Sequence, residues 1–224
     1  MKRVPLATAV LVVVTAVPSL LQFVIPGLEP ALMRDPAAIS QGQWWRLVTA
    51  LVVQDGGLFG TLTNLVFLAV LGFLAERALG AGHMLLLYGT GAVVGEATGY
   101  LLDAPGAGNS ITVCALAGGL AVASWLGRAD RMAGAVAAFY LAVIGIGQLT
   151  GSTIATVVVA VAATQLVVHR DRVPAWVPAA IAAVAGLALV IRTDMHGPPV
   201  LAGMLVGWLL TAASRSTSTP TTPA

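Results

Sequence analysis

The chain has 224 residues, of which 58% are apolar and 9% charged, whereas a soluble domain carries about 25% charged residues. With a mean hydropathy of +0.93 it cannot clothe a water-exposed surface, which excludes a soluble globular enzyme and leaves a polytopic membrane protein. The formal charge of +2 comes from basic residues scattered at the ends of apolar runs, so no stripe exists to track phosphates and no nucleic-acid partner is predicted.

A helix needs about 20 apolar residues to cross roughly 30 Å of hydrocarbon. Eight runs meet that need, at about 4–25, 58–76, 82–102, 110–127, 132–149, 152–168, 174–191 and 197–213. Backbone groups in lipid must bond to one another, and the period-2 alternation of a barrel is missing, so the fold class is all-α with about eight transmembrane helices. Met1-Lys2-Arg3 before the first run imitates a signal peptide, but the run is long and no small-residue cleavage site follows it cleanly, so it is read as a retained span.

Between the first two runs lies a loop, 26–57, broken by Pro26, Pro30 and Pro36. Its centre holds Trp44-Trp45-Arg46, side chains that suit the headgroup layer, where a plain interface anchor explains them equally well. Only residues 148–153 separate the fifth and sixth runs. Residues 1–213 are predicted to form one membrane domain, and the Ser/Thr/Pro tail 214–224 to be disordered.

The basic residues test the count. With the N-terminus inside, Lys2, Arg3, Arg77, Arg128, Arg131, Arg170, Arg172 and Arg215 fall on the cytoplasmic side, and only Arg34, Arg46 and Arg192 outside. Eight against three obeys the positive-inside rule, so both termini are predicted to be cytoplasmic in a cell membrane.

Polar groups at membrane depth are costly and mark function or structural bonding. Parity puts His83 and His169 at the cytoplasmic side and His196, at the start of the last run, at the outer side. Ser110 begins the fourth run at that same side, after the Gly/Pro-rich approach 103–109. Taken alone, each is an ordinary cap or a solvated helix end. Together they pair a hydroxyl with the base it needs to become a nucleophile. The Ser110 N–H and the amide of Asn64, in the second run, are candidate oxyanion donors, although Asn64 could equally bond between helices. Cys114 reads as packing. The single cysteine excludes a disulfide or Cys-based metal cluster, and no metal or cofactor is predicted.

With these pieces assembled, the chain resembles the rhomboid intramembrane serine proteases over about 40–127 and 190–213. Trp44-Trp45-Arg46 looks like the family's first-loop motif. Asn64, Gly72 and Glu76-Arg77 fall at the spacing of its second helix. Gly108-Asn109-Ser110, followed by Gly118, looks like its nucleophile helix, and His196, Ala202-Gly203 and Gly207 like the small-residue ladder of its base-bearing helix. The resemblance implies a catalytic Ser110–His196 dyad, with Asn64, Gly108 and Asn109 around the oxyanion and substrate, and with Trp44, Trp45, Arg46, Glu76, Gly203 and Gly207 as structural residues.

Three features depart from the pattern. Three helices, rather than one, are expected between the serine and histidine helices. Ile111 stands where the family has Gly, crowding the nucleophile, and Gly60 stands where it has a His, which removes a donor. These departures leave open a catalytically silent relative that binds client transmembrane helices. Glu96, a carboxyl at depth, leaves open a small transporter, though matched broken helices in two halves are not detected.

Overall fold

Each apolar run folds as a helix, and each break carries residues that stop one. The computed structural model describes residues 5–216. It contains α1 (Leu6–Leu21), three short helices α2 (Leu28–Leu32), α3 (Pro36–Ser40) and α4 (Arg46–Thr49), then α5 (Gly57–Leu79), α6 (Ala81–Leu101), α7 (Ser110–Trp125), α8 (Arg131–Thr150), α9 (Thr153–Val168), α10 (Val177–Ile191) and α11 (Gly197–Ser216). The fold is all-α and bundled. The narrow break at 148–153 is real: Gly151, with φ 61°, ends α8, and the Ser152 hydroxyl accepts the Ala155 N–H to open α9. Helix α11 continues to Ser216, and residues 217–224 of the expected tail lie outside the described residues.

The span count needs correction. Among the described residues, only α5 and α8 are both long and apolar enough to cross a membrane, with mean hydropathies of 2.1 and 1.8. Four of the other helices are short. Helices α1, α7 and α9 have 16 residues and α10 has 15, about 24 Å or less at 1.5 Å per residue. Helix α6 is long enough, but glycines, His83 and Glu96 dilute its apolar character. What the bundle does show is an inverted polarity. Val10, Val13 and Val17 of α1, Phe59 and Val66 of α5 and Val157 and Val161 of α9 face outward, while Thr8, Ser19, Gln54, Glu96, Asn109 and His196 are buried. A protein in water arranges these the other way round.

Helix α7 is the axis of the bundle, every residue from Ile111 to Ser124 being buried, as expected of a helix apolar on all sides. Helix α11 packs on it backbone to backbone. A methyl at Gly203 would land on the Ala115 carbonyl, and one at Gly207 would lie 2.7 Å from the Gly119 carbonyl oxygen. A second ladder, Gly91, Gly95 and Gly99 on α6, receives Thr112 and Ala115, then Ile111, then the Arg34 side chain. Helix α9 lies against α8 and buries only Ala163.

Helix α1 begins at Pro5 without a side-chain cap of its own. Glu76, at the far end of α5, supplies one, accepting the Ala7 N–H (3.1 Å), the Thr8 N–H (2.7 Å) and the Thr8 hydroxyl (2.7 Å). Glu76→Ala is expected to cost about 1–2 kcal/mol, as loss of a helix cap does, and Glu76→Gln less, because it keeps an acceptor. Denaturation in mixed micelles measures this; a cost for Glu76→Ala of a few tenths or less would refute the capping role.

Candidate active site

Two chain segments, 86 positions apart, meet at one end of the bundle. Gly108, at φ 135°, turns the chain into Asn109, and Ser110 becomes the first residue of α7. On the other segment α10 stops at Ile191, and the Thr193 and Asp194 N–H groups bond back to Val190 and Leu189 carbonyls. Thr193 takes a positive φ of 53°, which re-aims the chain and delivers His196 immediately before α11. The α7–α11 backbone contact then brings the two side chains within reach, with Ser110 Oγ 2.9 Å from His196 Nε2. This is the geometry of a catalytic Ser–His dyad.

The histidine's other nitrogen is engaged as well. Asp194 Oδ1 lies 2.7 Å from His196 Nδ1 and also accepts the His196 backbone N–H at 2.9 Å. A carboxylate can only accept, so the ring proton sits on Nδ1 and Nε2 is left to accept from the Ser110 hydroxyl. Burial pushes the Asp194 carboxyl up, but the His196 side-chain hydrogen bond, the electrostatic attraction of the ring and the backbone N–H together hold it below the ordinary carboxylate range. Asp194 was invisible in the sequence reading, where an Asp in a short link looks like a turn residue.

Asn64 projects from α5 towards the same place. A Cβ added to Gly108 would meet Gln54 Oε1 at 3.0 Å, Asn64 Nδ2 at 3.5 Å and Ser110 Oγ at 3.8 Å. The missing side chain therefore leaves a small space bordered by an amide donor and the nucleophile. Asn64 Nδ2 donates to Gln54 Oε1 (2.8 Å), and Gln54 Nε2 donates to Asn109 Oδ1 (3.1 Å). The Gln22 amide grips both the N–H (2.9 Å) and the carbonyl (2.6 Å) of Gln54. Asn109 is wholly buried, and its Nδ2 has no hydrogen-bond partner. Neither Gln22 nor Gln54 was singled out from sequence.

Ile111 does not point into the space beside the serine. Its side chain fills the notch at Gly95 on α6. Gly60 is open, with nothing within 4 Å of where its Cβ would be, so no local group takes the place of the missing donor there. Tyr140 of α8 donates its hydroxyl to the Ser110 carbonyl (3.2 Å) and contacts the buried Cys114. Phe67 of α5 packs against Tyr140 at a tilt of 53°, with centroids 4.8 Å apart, and beside these rings a cleft of about 280 Å³ opens between α5 and α8, lined in part by Thr63, Asn64 and Gln148.

The remaining residues of interest lie around this core. Trp44 and Trp45 are exposed, whereas Arg46 is tied down, donating to the carbonyls of Pro30 and Met33 and to the Gln43 side chain. Glu96 forms a buried ion pair with Arg34 at 3.0 Å. The carboxyl that a transporter would load is thus engaged with a guanidinium. His83 and His169 are exposed and belong to no such cluster. Among the described residues no group of three or more His, Cys, Asp or Glu is placed to hold a metal.

Compared with known families, residues 41–216 match the Rhomboid domain, a stretch that includes Asn64, Ser110, Asp194 and His196. No curated protein matches the chain.

Proposed function

The chain belongs to the rhomboid family, and from that premise we propose that it is an intramembrane serine endopeptidase that cleaves transmembrane-helix substrates near the outer leaflet. The observation that carries this reading is the 2.9 Å contact between Ser110 Oγ and His196 Nε2. Ser110 Oγ attacks the scissile carbonyl as its proton passes to His196 Nε2. The new C–O bond leaves a negative oxygen, which occupies the space over Gly108, facing Asn64 and the Ser110 N–H at the start of α7. His196 then gives the proton to the leaving amine, and water releases the acyl group by the same steps in reverse order. No cofactor takes part.

In this reading the bundle lies in the bilayer, with α5 and α8 long and apolar enough to cross it. The eight-to-three bias of basic residues supports cytoplasmic termini, which puts Ser110 and His196 at the outer side. The cleft between α5 and α8 admits the substrate helix, and its amide and hydroxyl groups offer partners to a backbone that must unwind before cleavage. Trp44 and Trp45 anchor the 26–57 loop in the headgroups, and residues 1–213 act as one domain.

Fluorophosphonate labelling of the purified protein, beside Ser110→Ala and His196→Ala, tests the reading. Labelling lost in both variants is the expected result. An unlabelled but folded wild type would transfer the weight to a silent relative that binds client helices. Asn64→Ala is expected to lower kcat about 10²–10³-fold, as removal of one oxyanion donor does, with a smaller change in KM. A loss below threefold would remove Asn64 from the oxyanion site.

A further inference from the structure

We propose that Asp194 is the positioning residue of the active site, the carboxylate that fixes the tautomer and aim of His196 and so makes a three-member chain of the serine–histidine pair. The inference rests on the serine-hydrolase reading of Ser110 and His196, but its geometry stands independently.

A single oxygen does two things. Asp194 Oδ1 accepts the His196 backbone N–H at 2.9 Å and the ring Nδ1–H at 2.7 Å. The first bond fixes where that oxygen lies relative to the start of α11; the second then fixes the ring relative to the same point. The imidazole is therefore locked to the backbone of its own helix, and Nε2 is aimed at Ser110 Oγ. The link itself has little freedom. The Asp194 N–H bonds to the Leu189 carbonyl, and Met195 Sδ accepts from the buried Arg34 guanidinium. The side chains of His196 and Asp194 are 5% and 22% exposed, so water competes weakly for this bond.

In the reaction Asp194 exchanges no proton. The Ser110 proton moves to Nε2 while the Oγ–carbon bond forms, and Nδ1 keeps its own proton throughout. The imidazolium so produced lies against a carboxylate, which stabilises it as the transition state is approached.

The doubly used oxygen gives the conservative variant a distinctive behaviour. In Asp194→Asn the backbone N–H of His196 still demands an acceptor, which orients the amide oxygen, not its NH₂, towards the ring. The tautomer is then retained and only the charge is lost, whereas Asp194→Ala loses both.

The test uses the full chain in detergent, with nitrogen-15 histidine and the His196→Gln spectrum to identify the His196 signals. The wild type is expected to show a far-downfield Nδ1 proton on His196, kept in Asp194→Asn at a less downfield position and absent in Asp194→Ala. Fluorophosphonate labelling is expected to slow about 10³–10⁴-fold in Asp194→Ala, and measurably less in Asp194→Asn. A His196 proton on Nε2 in the wild type, or an Asp194→Ala variant labelling within threefold of wild type, overturns the inference. If the wild type carries the Nδ1 proton but does not label, the positioning role is upheld and the protease reading fails instead.

Discussion

Ser110→Ala, His196→Ala and the double variant are expected to fall to a common floor of cleavage, roughly 10⁴-fold or more below the wild type, with the double variant scarcely worse than either single one. The reason is that the two side chains perform one step. A serine hydroxyl without a base is a weak nucleophile, and a base without its hydroxyl has nothing to activate. Groups that act as a unit lose their whole joint effect when either member goes. The measurement is turnover of a reconstituted transmembrane substrate, with folding of each variant checked by denaturation in micelles. Additive losses would show that Ser110 and His196 act in separate steps, and undiminished cleavage by folded Ser110→Ala would end the serine-protease reading.

Arg34→Met is expected to produce the largest loss of stability, about 3–5 kcal/mol, the cost of stranding one member of a buried ion pair. Arg34 is 1% exposed and Glu96 4%. The guanidinium bonds Glu96 Oε2 at 3.0 Å, the Ala104 carbonyl at 2.8 Å and Met195 Sδ at 2.9 Å, and its plane rests where any side chain at Gly99 would sit. Its backbone also bridges to Gly106, by bonds of 2.8 and 3.1 Å. Glu96 Oε1 already lacks a partner, so without Arg34 the whole carboxylate is uncompensated. Glu96→Gln removes the charge with little change of shape and is expected to cost less. Arg34→Met with Glu96→Gln should recover much of the loss, and that recovery is what separates an ion pair from a simple packing defect. A cost below 1 kcal/mol for Arg34→Met would show that the pair is not holding the fold.

Much of this was open to a reader of the sequence, for definite reasons. Helices in an apolar medium announce themselves by run length, so all eight long helices fall on expected runs. The lengths fixed by their caps did not show, and those lengths decide how many helices suffice to span. Ser110 and His196 were legible because a glycine-rich approach and a small-residue ladder are local patterns. The Asp194 contact was not, since it depends on a positive φ at Thr193, which composition does not reveal. Arg34 and Glu96 lie 62 positions apart, and no periodicity links a loop arginine to a helix carboxylate. Helices α2, α3 and α4, of four or five residues, are too short to carry a period. Ile111 seemed an obstruction only because the helix facing it was unknown; Gly95 provides its space.

The two seams that border the catalytic pair differ in kind, and that difference fixes an order of disassembly. Between α7 and α11 the Gly203 and Gly207 contacts put main chain against main chain, with no side chain to bend aside. Between α5 and α8 the joint is made by Phe67 and Tyr140 rings beside an open cleft. Warming loosens rings and clefts before it parts close-packed backbones. Opening therefore begins on the α5–α8 side, where Asn64 and the Tyr140 bond to the Ser110 carbonyl also lie, so a protein losing its fold would lose the support of its nucleophile before α7 and α11 part.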